Sequence, residues 1–221
     1  MKRIILTGAS DGLGKEFGKL CVNENIEIIA LSRTKPEYEC IHIKTDLSKE
    51  NSIKNACNLI KEKYSEFDAL INCAAVISKQ KPNSITYNEL DNLIKINNIA
   101  PIFLTSNLFD LIKENEADII NVGSTVGTKA YLDQCAYGTS KWGIRGTSLN
   151  LQLELAKTRC RVIGFNPGGM NTKMFKKYNG EVIENPDEWM NPKDVADVML
   201  YILKLPKQVE VSEITINRKA K

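Results

Sequence analysis

The sequence contains a single histidine, His42, among its 221 residues. A catalytic triad that uses a histidine base would have to rely on this one residue, and a zinc centre with several histidine ligands cannot be built. His42 also falls at the end of a short predicted strand, where a structural role is the simpler interpretation. We therefore expect no metal site and no histidine-based catalysis.

Two other scarce features concern the compartment. The six cysteines include no Cys-x-x-Cys pair, which favours a reduced, cytoplasmic protein over a disulfide scaffold. The first apolar run, residues 4–6, is too short for a signal peptide, and no apolar stretch approaches the length of a membrane span.

The formal net charge is only +3, with lysine and arginine scattered, so we expect no nucleic acid and no membrane as a partner.

The length suits one α/β domain over residues 1–221, and 43% apolar with 26% charged residues is ordinary for a soluble globular protein. Short apolar runs alternate with helical patterns along the chain. The predicted strands are 3–7, 26–31, 40–44, 68–71, 117–122, 160–165 and 212–217. This alternation predicts a Rossmann-type, doubly wound, mainly parallel sheet of about seven strands with helices on both faces. Ligands of such sheets bind beyond the carboxyl ends of the strands.

A glycine turn follows the first predicted strand and reads T-G-A-S-D-G-L-G, residues 7–14. Gly8 permits a tight turn, Gly12 lets the backbone approach a pyrophosphate, and Gly14 lets helix and strand pack closely. The N-terminus of the helix that follows offers free N–H groups to phosphate. The alternative is an ordinary glycine-rich loop, which the placement of all three glycines disfavours.

The end of the second strand bears on the choice of cofactor. Ser32 and Arg33 lie about twenty residues past the glycines, where an NAD-binding protein carries an acid for the ribose. No acid is present there, and Arg33 could instead grip a 2′-phosphate, which favours NADP(H) over NAD(H). Asp11 in the glycine turn would not help a phosphate, and Arg33 could also be a plain surface residue.

Polar and small residues follow the next two strands. Asp46 and Leu47 come after the third strand, where Asp46 could meet the adenine end of a cofactor or cap the next helix. N-C-A-A, residues 72–75, follows the fourth strand and is small enough for a cofactor to lie across it, although small residues there could be plain packing.

Ser124, Tyr137 and Lys141 could come together at the end of the fifth strand. Tyr137 and Lys141 are four residues apart and so share one face of a helix, and Ser124 follows a buried-strand pattern. A free tyrosine has a pKa of about 10, and a neighbouring cation lowers it, so that such a pair can move protons. The spacing of tyrosine and lysine alone also occurs as a solvated pair on many helices.

The motifs together are more specific than any one of them. T-G-A-S-D-G-L-G, Asp46-Leu47, N-C-A-A, Asn97, Ser124, Y-G-T-S-K and P-G-G-M-N-T occur in this order. With these motifs in this order, the chain resembles the short-chain dehydrogenase/reductase family over nearly its whole length. The resemblance implies a nicotinamide cofactor and hydride transfer to a carbonyl, or from an alcohol, of a small-molecule substrate.

The resemblance also implies roles for individual residues. Tyr137 would donate the proton in reduction, Lys141 would hold the nicotinamide ribose and lower the pKa of Tyr137, and Ser124 would bind the substrate oxygen. Asn97 would anchor a water in the proton relay. The implied cofactor contacts are Gly8, Ser10, Asp11, Gly12, Leu13, Gly14, Ser32, Arg33, Asp46, Leu47, Asn72, Ala74, Tyr137, Lys141, Pro167, Gly168 and Thr172.

Pro101 interrupts a long helical pattern over residues 86–113. Proline has no N–H, so the carbonyl of Asn97, four residues earlier, loses its usual helical donor. Since the resemblance places a water at Asn97, the freed carbonyl could bind that water. The alternative is a kink that only packs the helix around the sheet.

The chain departs from the family pattern at three places. The usual N-N-A-G reads N-C-A-A, which removes no required group. The glycine-rich C-terminus of longer members is absent, which puts their tetramer contacts in doubt. The polar segment after Thr172, up to about Trp189, is short and predicts a mobile lid over an open substrate pocket.

The leading interpretation is an NADP-dependent carbonyl reductase. The alternatives are an epimerase or dehydratase of nucleotide sugars, an enoyl reductase, and an NAD(P)-sensing protein without catalysis. We expect a homodimer, or else a tetramer, with the dimer formed through the helices predicted over residues 86–113 and 137–157.

Overall fold

The structure is a computed structural model, and it describes residues 1–174 and 185–219. It contains a sheet of seven strands: β1 (Arg3–Thr7), β2 (Glu27–Ser32), β3 (Ile41–Lys44), β4 (Ala69–Asn72), β5 (Asp118–Val122), β6 (Val162–Pro167) and β7 (Glu213–Ile216). The strand order is β3-β2-β1-β4-β5-β6-β7, and every pairing is parallel. The predicted doubly wound fold is confirmed.

The α-helices in the described ranges are α1 (Gly12–Asn23), α2 (Glu50–Lys63), α3 (Tyr87–Ile94), α4 (Ala100–Glu114), α5 (Cys135–Leu155) and α6 (Pro192–Lys204). A π-helical turn, Lys95–Ile99, joins α3 to α4 without a break. Short 3₁₀ turns occur at Pro82–Ser84, Thr125–Gly127 and Pro186–Glu188. All seven strands begin and end within two residues of the ranges predicted from the sequence.

Successive side chains of each strand point to opposite faces of the sheet, and they form two apolar cores, one on each face. Ile4 and Leu6 of β1 face the helices α1 and α6, whereas Ile5, between them, faces α2 and α4. All three side chains are completely buried. Because successive residues of a strand point to opposite faces, a strand that is apolar throughout must be covered by helices on both sides.

A buried ion pair lies at the amino edge of the sheet. Asp118 begins β5, and the Arg161 guanidinium, just before β6, donates to it over 2.6 Å (Nη2 to Oδ2). Both side chains are 4% exposed. The same guanidinium donates to the carbonyl of Leu203 in the last turn of α6 and to those of Leu205, Pro206 and Val209 in the segment after it. The pair therefore fastens the chain leading into β7 to the centre of the sheet.

Candidate active site

A cleft of about 300 Å³ opens at the carboxyl edge of the sheet. Its walls come from the segments that follow β1 to β6, as expected for a parallel sheet whose strand ends meet at one edge. The predicted site residues that line it are Gly8, Ser10, Asp11, Gly12, Leu13, Gly14, Ser32, Arg33, Asp46, Leu47, Ala74, Ser124, Tyr137, Lys141, Pro167, Gly168 and Thr172. Two further predicted residues, Asn72 and Asn97, are not part of this wall in the described structure.

The glycine turn is shaped to receive a phosphate. Gly8 and Gly12 have φ values of +70° and +52°, in the left-handed region that favours glycine. A Cβ on Gly8 would lie 2.8 Å from the Cα of Ala74, so the turn and the N-C-A-A segment touch through their backbones. The Asp11 carboxylate caps α1 by accepting the N–H of Gly12 over 2.8 Å. These residues fit the pyrophosphate of a dinucleotide, which would lie on the N-terminus of α1.

Thr7, the last residue of β1, holds the N-C-A-A segment in place. Its buried hydroxyl accepts the N–H groups of Cys73 and Ala74, both over 3.0 Å, and donates to the carbonyl of Ile71 over 3.3 Å. One side chain therefore fixes the turn after β4 against the turn after β1, and with it the middle of the cleft.

Arg33 lies at the opposite end of the cleft from the catalytic candidates, next to Asp46. The Asp46 carboxylate accepts the N–H and the hydroxyl of Ser48 over 3.0 Å and 2.7 Å. Burial raises the pKa of Asp46, but the bonds from Ser48 and the charge of Arg33 outweigh it, so that the pKa lies below its usual value. Asp46 thus shapes the turn before α2 and faces the cleft. The prediction that it caps the helix is wrong, because α2 begins after Lys49 and has no side-chain capping bond.

Ser124, Tyr137 and Lys141 converge as their spacing predicts. Ser124 follows β5, and α5 begins at Cys135, which places Tyr137 and Lys141 on its first two turns. The Ser124 hydroxyl lies close enough to the Tyr137 phenol to affect its pKa. The Lys141 ammonium donates to the carbonyl of Val122 over 3.0 Å and lies 5.7 Å from the centre of the Tyr137 ring.

Burial dominates the acid–base properties of this group. It raises the pKa of Tyr137 to about 12, although the nearby Ser124 hydroxyl opposes the shift. Burial also lowers the pKa of Lys141 to about 8. The pKa of Tyr137 thus lies above its usual value, because burial is the largest cause and the cause that opposes it is Ser124. The lowering of this pKa by Lys141 stays a prediction. At neutral pH the phenol carries its proton, as a proton donor must.

The two asparagines outside the cleft wall have structural hydrogen bonds. The Asn97 amide pairs with the backbone of Val76 through two bonds of 2.9 Å, and it also donates to the Ser140 hydroxyl over 3.0 Å. The Asn72 amide donates to Asn121 over 2.8 Å inside the sheet. Through its side chain, Asn97 therefore ties the segment after β4 to α5.

The helix is not simply kinked before Pro101. Asn97 is the middle residue of the π-helical turn, in which the N–H of Ala100 reaches the carbonyl of Lys95. Turns of this kind widen a helix locally and occur often at functional sites. The sequence indicated an interruption through Pro101, but a π-helical turn could not be distinguished from an ordinary kink.

Several residues of the cleft wall were not predicted. They are Leu31, Thr34, Thr45, Cys73, Ala75, Val76, Ile77, Ile96, Val122, Gly123, Thr125, Val126, Gln134, Gly169, Met170 and Met174. Most are apolar or small and carry no motif. Gln134 was detectable, since it lies three residues before Tyr137 and so within one helical turn of it.

The predicted lid falls mainly on residues 175–184, outside the described residues. The chain on its two sides is held together, since the N–H of Asn171 donates to the carbonyl of Met190 over 2.9 Å. Trp189 covers Gly169, where an added Cβ would overlap its ring. Arg218 stacks on the same ring, 4.8 Å from its centre.

The described ranges contain neither a membrane-spanning helix nor a cluster of metal ligands. No helix in them combines the length and the apolar character that a membrane span requires. No three histidine, cysteine or acidic side chains within them come together as metal ligands.

The family model for short chain dehydrogenases matches residues 2–182 of this chain. The chain belongs to that family and is an NAD(P)-dependent oxidoreductase. An uncharacterized oxidoreductase of Staphylococcus aureus (strain MRSA252) is 24% identical over 226 residues, covering 97% of this chain and 96% of the relative. One of Listeria monocytogenes serovar 1/2a is 26% identical over 237 residues, covering 97% and 95%.

Solved structures share the fold along nearly the whole chain. An alcohol dehydrogenase from the archaeon Thermococcus sibiricus, complexed with 5-hydroxy-NADP, superposes with a TM-score of 0.88 at 20% identity and covers 99% of this chain and 97% of that one. The closed form of a serine dehydrogenase complexed with NADP⁺ gives 0.84 at 21% identity, covering 97% and 94%. A 4-hydroxyisoleucine dehydrogenase complexed with NADH gives 0.85 at 21% identity, covering 99% and 98%.

Proposed function

We propose that this enzyme reduces a carbonyl to an alcohol with NADPH, or catalyses the reverse reaction. The observation that carries the proposal is the convergence of Ser124, Tyr137 and Lys141 in the cleft that begins at the glycine turn. A bound NADPH supplies a hydride to the carbonyl carbon. The Tyr137 phenol gives its proton to the carbonyl oxygen, which Ser124 holds, so the C=O π bond is replaced by one C–H and one O–H bond.

Lys141 has a supporting role in this proposal. It is 2% exposed, and below a pH of about 8 it is a buried cation. One of its N–H groups is used by the carbonyl of Val122. The others remain to hold the hydroxyls of the nicotinamide ribose, and the positive charge stabilises Tyr137 as it loses its proton.

Oxidation of NADPH against a panel of aldehydes and ketones tests this function. We expect turnover of some members, together with binding of NADPH in a fluorescence titration. Binding without turnover of any carbonyl or, in reverse, of any alcohol would support the alternative of a dinucleotide-sensing protein.

The preference for NADPH rests on Arg33. Its side chain is exposed and lines the cleft beyond β2, with no acid in the position that selects a free ribose. The segment after it is anchored, because the Tyr38 hydroxyl donates to the carbonyl of Ala9 in the glycine turn over 3.1 Å. A guanidinium can bind phosphate through paired hydrogen bonds, so Arg33 is suited to the 2′-phosphate.

Replacing Arg33 with leucine should lower kcat/KM for NADPH by about 10- to 100-fold, since hydrogen bonds to a charged group contribute about 1.5–3 kcal/mol each. The value for NADH should change little. Lys35→Leu is the matched control, because Lys35 is exposed two residues further on but does not line the cleft. Equal values for the two cofactors in the native enzyme, or a preference for NADH, would contradict the assignment.

Pro101 offers a second test, aimed at the proton relay. Pro101→Ala restores an N–H that can pair with the carbonyl of Asn97 and so withdraw that carbonyl from a bound water. We expect a lower kcat with little change in NADPH affinity or secondary structure. A variant with a lower melting temperature but a native kcat would show that Pro101 serves packing alone.

The enzyme is proposed to act as a homodimer. Apolar side chains are exposed along the outer faces of α4 and α5, among them Ile102 (47%), Trp142 (48%), Leu149 (48%) and Leu153 (78%). A second copy that packs on these helices would cover them, and such patches mark interaction sites.

Light scattering at micromolar concentration should therefore give the mass of a dimer. The Leu153→Glu variant should shift the equilibrium towards monomer, because it places a charge within the proposed contact. Tyr201→Glu changes an apolar residue of α6 that is 65% exposed, and it should leave the dimer intact. A native protein that is only monomeric would contradict the proposal, and loss of a larger species in the Tyr201 variant would favour the tetramer.

A cytoplasmic location completes the proposal. All six cysteines lie in the described ranges as free thiols, and three of them, Cys21, Cys57 and Cys160, are buried. Free thiols are typical of a reducing compartment. Recovery of the protein mainly from an exported fraction would contradict this location.

A further inference from the structure

The substrate end of the cleft is largely apolar. A cluster of apolar side chains is packed around Tyr137, and its members that also line the cleft are Val76, Ile77, Ile96, Val126 and Met174. These side chains can contact the carbon skeleton of a substrate held at the Tyr137 phenol. They offer no hydrogen bond, so they cannot select one functional group over another.

Gln134 is a polar residue in this part of the wall that has no role in the proposed reaction. It lies three residues before Tyr137, lines the cleft, and has a side-chain oxygen that is buried without a hydrogen-bond partner. A buried acceptor without a donor costs about 1–3 kcal/mol, and such atoms in native structures call for an explanation. A donor on the substrate would remove this cost.

The helix does not use this amide. Gln134 stands at the N-cap position of α5, yet its side chain makes no capping bond. Its backbone is fixed independently, because its carbonyl accepts the N–H of Gly138 over 2.6 Å. The start of the Gln134 side chain and Val126 both lie next to Gly138, since a Cβ placed there would be 4.0 Å from the Cβ of Gln134 and 3.5 Å from Cγ1 of Val126.

We propose that Gln134 is a specificity-determining residue that accepts a hydrogen bond from a hydroxyl or amine group of the substrate. The preferred substrate class is then an aliphatic ketone with such a donor near the carbonyl, or the corresponding alcohol. The apolar side chains contact its carbon chain, while Ser124 and Tyr137 bind the reacting oxygen. This inference rests on the proposed reductase function and narrows it.

The test uses three ketones of similar size: hydroxyacetone, which carries a donor, methoxyacetone, which carries only an acceptor at that position, and 2-butanone, which carries a methyl group. We expect kcat/KM of the native enzyme with NADPH to be about 10- to 100-fold higher for hydroxyacetone than for the other two, in line with the cost of an unpaired buried acceptor. In Gln134→Leu this ratio should fall to about one.

Gln208→Leu makes the same change at an exposed glutamine outside the cleft and should keep the native ratio. NADPH titration and circular dichroism establish that each variant is folded. If the three ketones are reduced with equal efficiency, or if Gln134→Leu keeps the native ratio, the inference is wrong while the reductase function stands. If no ketone or aldehyde is reduced although NADPH binds, the proposed function fails and the inference fails with it.

Discussion

Replacing Tyr137 with phenylalanine should lower kcat for carbonyl reduction by about 10²- to 10⁴-fold, the usual contribution of general acid catalysis. The change removes one oxygen atom from a side chain that is 7% exposed. The ring stays in its apolar cluster, so the fold and the glycine turn should be unaffected. NADPH should therefore still bind, and fluorescence titration measures this alongside turnover.

Tyr201→Phe is the matched control, because Tyr201 is exposed on α6 and does not line the cleft. Its kcat should equal that of the native enzyme. Retention of more than about a tenth of the native kcat by Tyr137→Phe would fall short of the acid-catalysis contribution and would refute Tyr137 as the proton donor.

Replacing Arg161 with methionine should lower the free energy of unfolding by about 3–5 kcal/mol, as expected when one partner of a buried ion pair is removed. The Asp118 carboxylate would stay buried without its guanidinium, and the backbone carbonyls at the end of α6 and after it would lose their donor. Lys207, which donates to Asp118 over 2.7 Å, would still neutralise part of the carboxylate charge. We therefore expect a loss near the lower end of this range. Denaturation by urea measures the change.

A neighbouring arginine provides the control for this prediction. Arg159 pairs with Glu116 over 3.5 Å, and the two side chains are 62% and 46% exposed. Arg159→Met should cost no more than about 1 kcal/mol, since surface ion pairs contribute little. Equal losses in the two variants would mean that burial does not distinguish the pairs and that the Arg161 contacts are not a principal source of stability.

The sequence was sufficient to predict the sheet, because each parallel strand is a short apolar run bounded by turn residues. It also located Ser124, Tyr137 and Lys141, since their positions follow from a strand end and one helix face. The Asp118–Arg161 pair was not predictable: its partners are 43 residues apart and become neighbours only when β5 and β6 pair.

The acid–base properties of the site also could not be predicted from the sequence. Spacing shows that Lys141 lies near Tyr137, but the pKa of Tyr137 depends on how completely the phenol is buried. The same holds for Gln134. Its proposed role rests on a buried side-chain oxygen without a hydrogen-bond partner, and the sequence does not show which side chains lack partners. In both cases the property depends on which atoms surround the group, and only the folded chain determines these atoms.

The position of the Asp118–Arg161 pair has a consequence for how this enzyme can evolve. Asp118 and Val122, the two ends of β5, are four residue steps apart, so at about 3.3 Å per step the pair lies roughly 13 Å from the cleft end of the same strand. Substitutions that far apart, with no shared partners, usually have additive effects on stability. Mutations that reshape the cleft for a new substrate should therefore subtract only their own cost from the stability, without also weakening the ion pair at the opposite edge of the sheet.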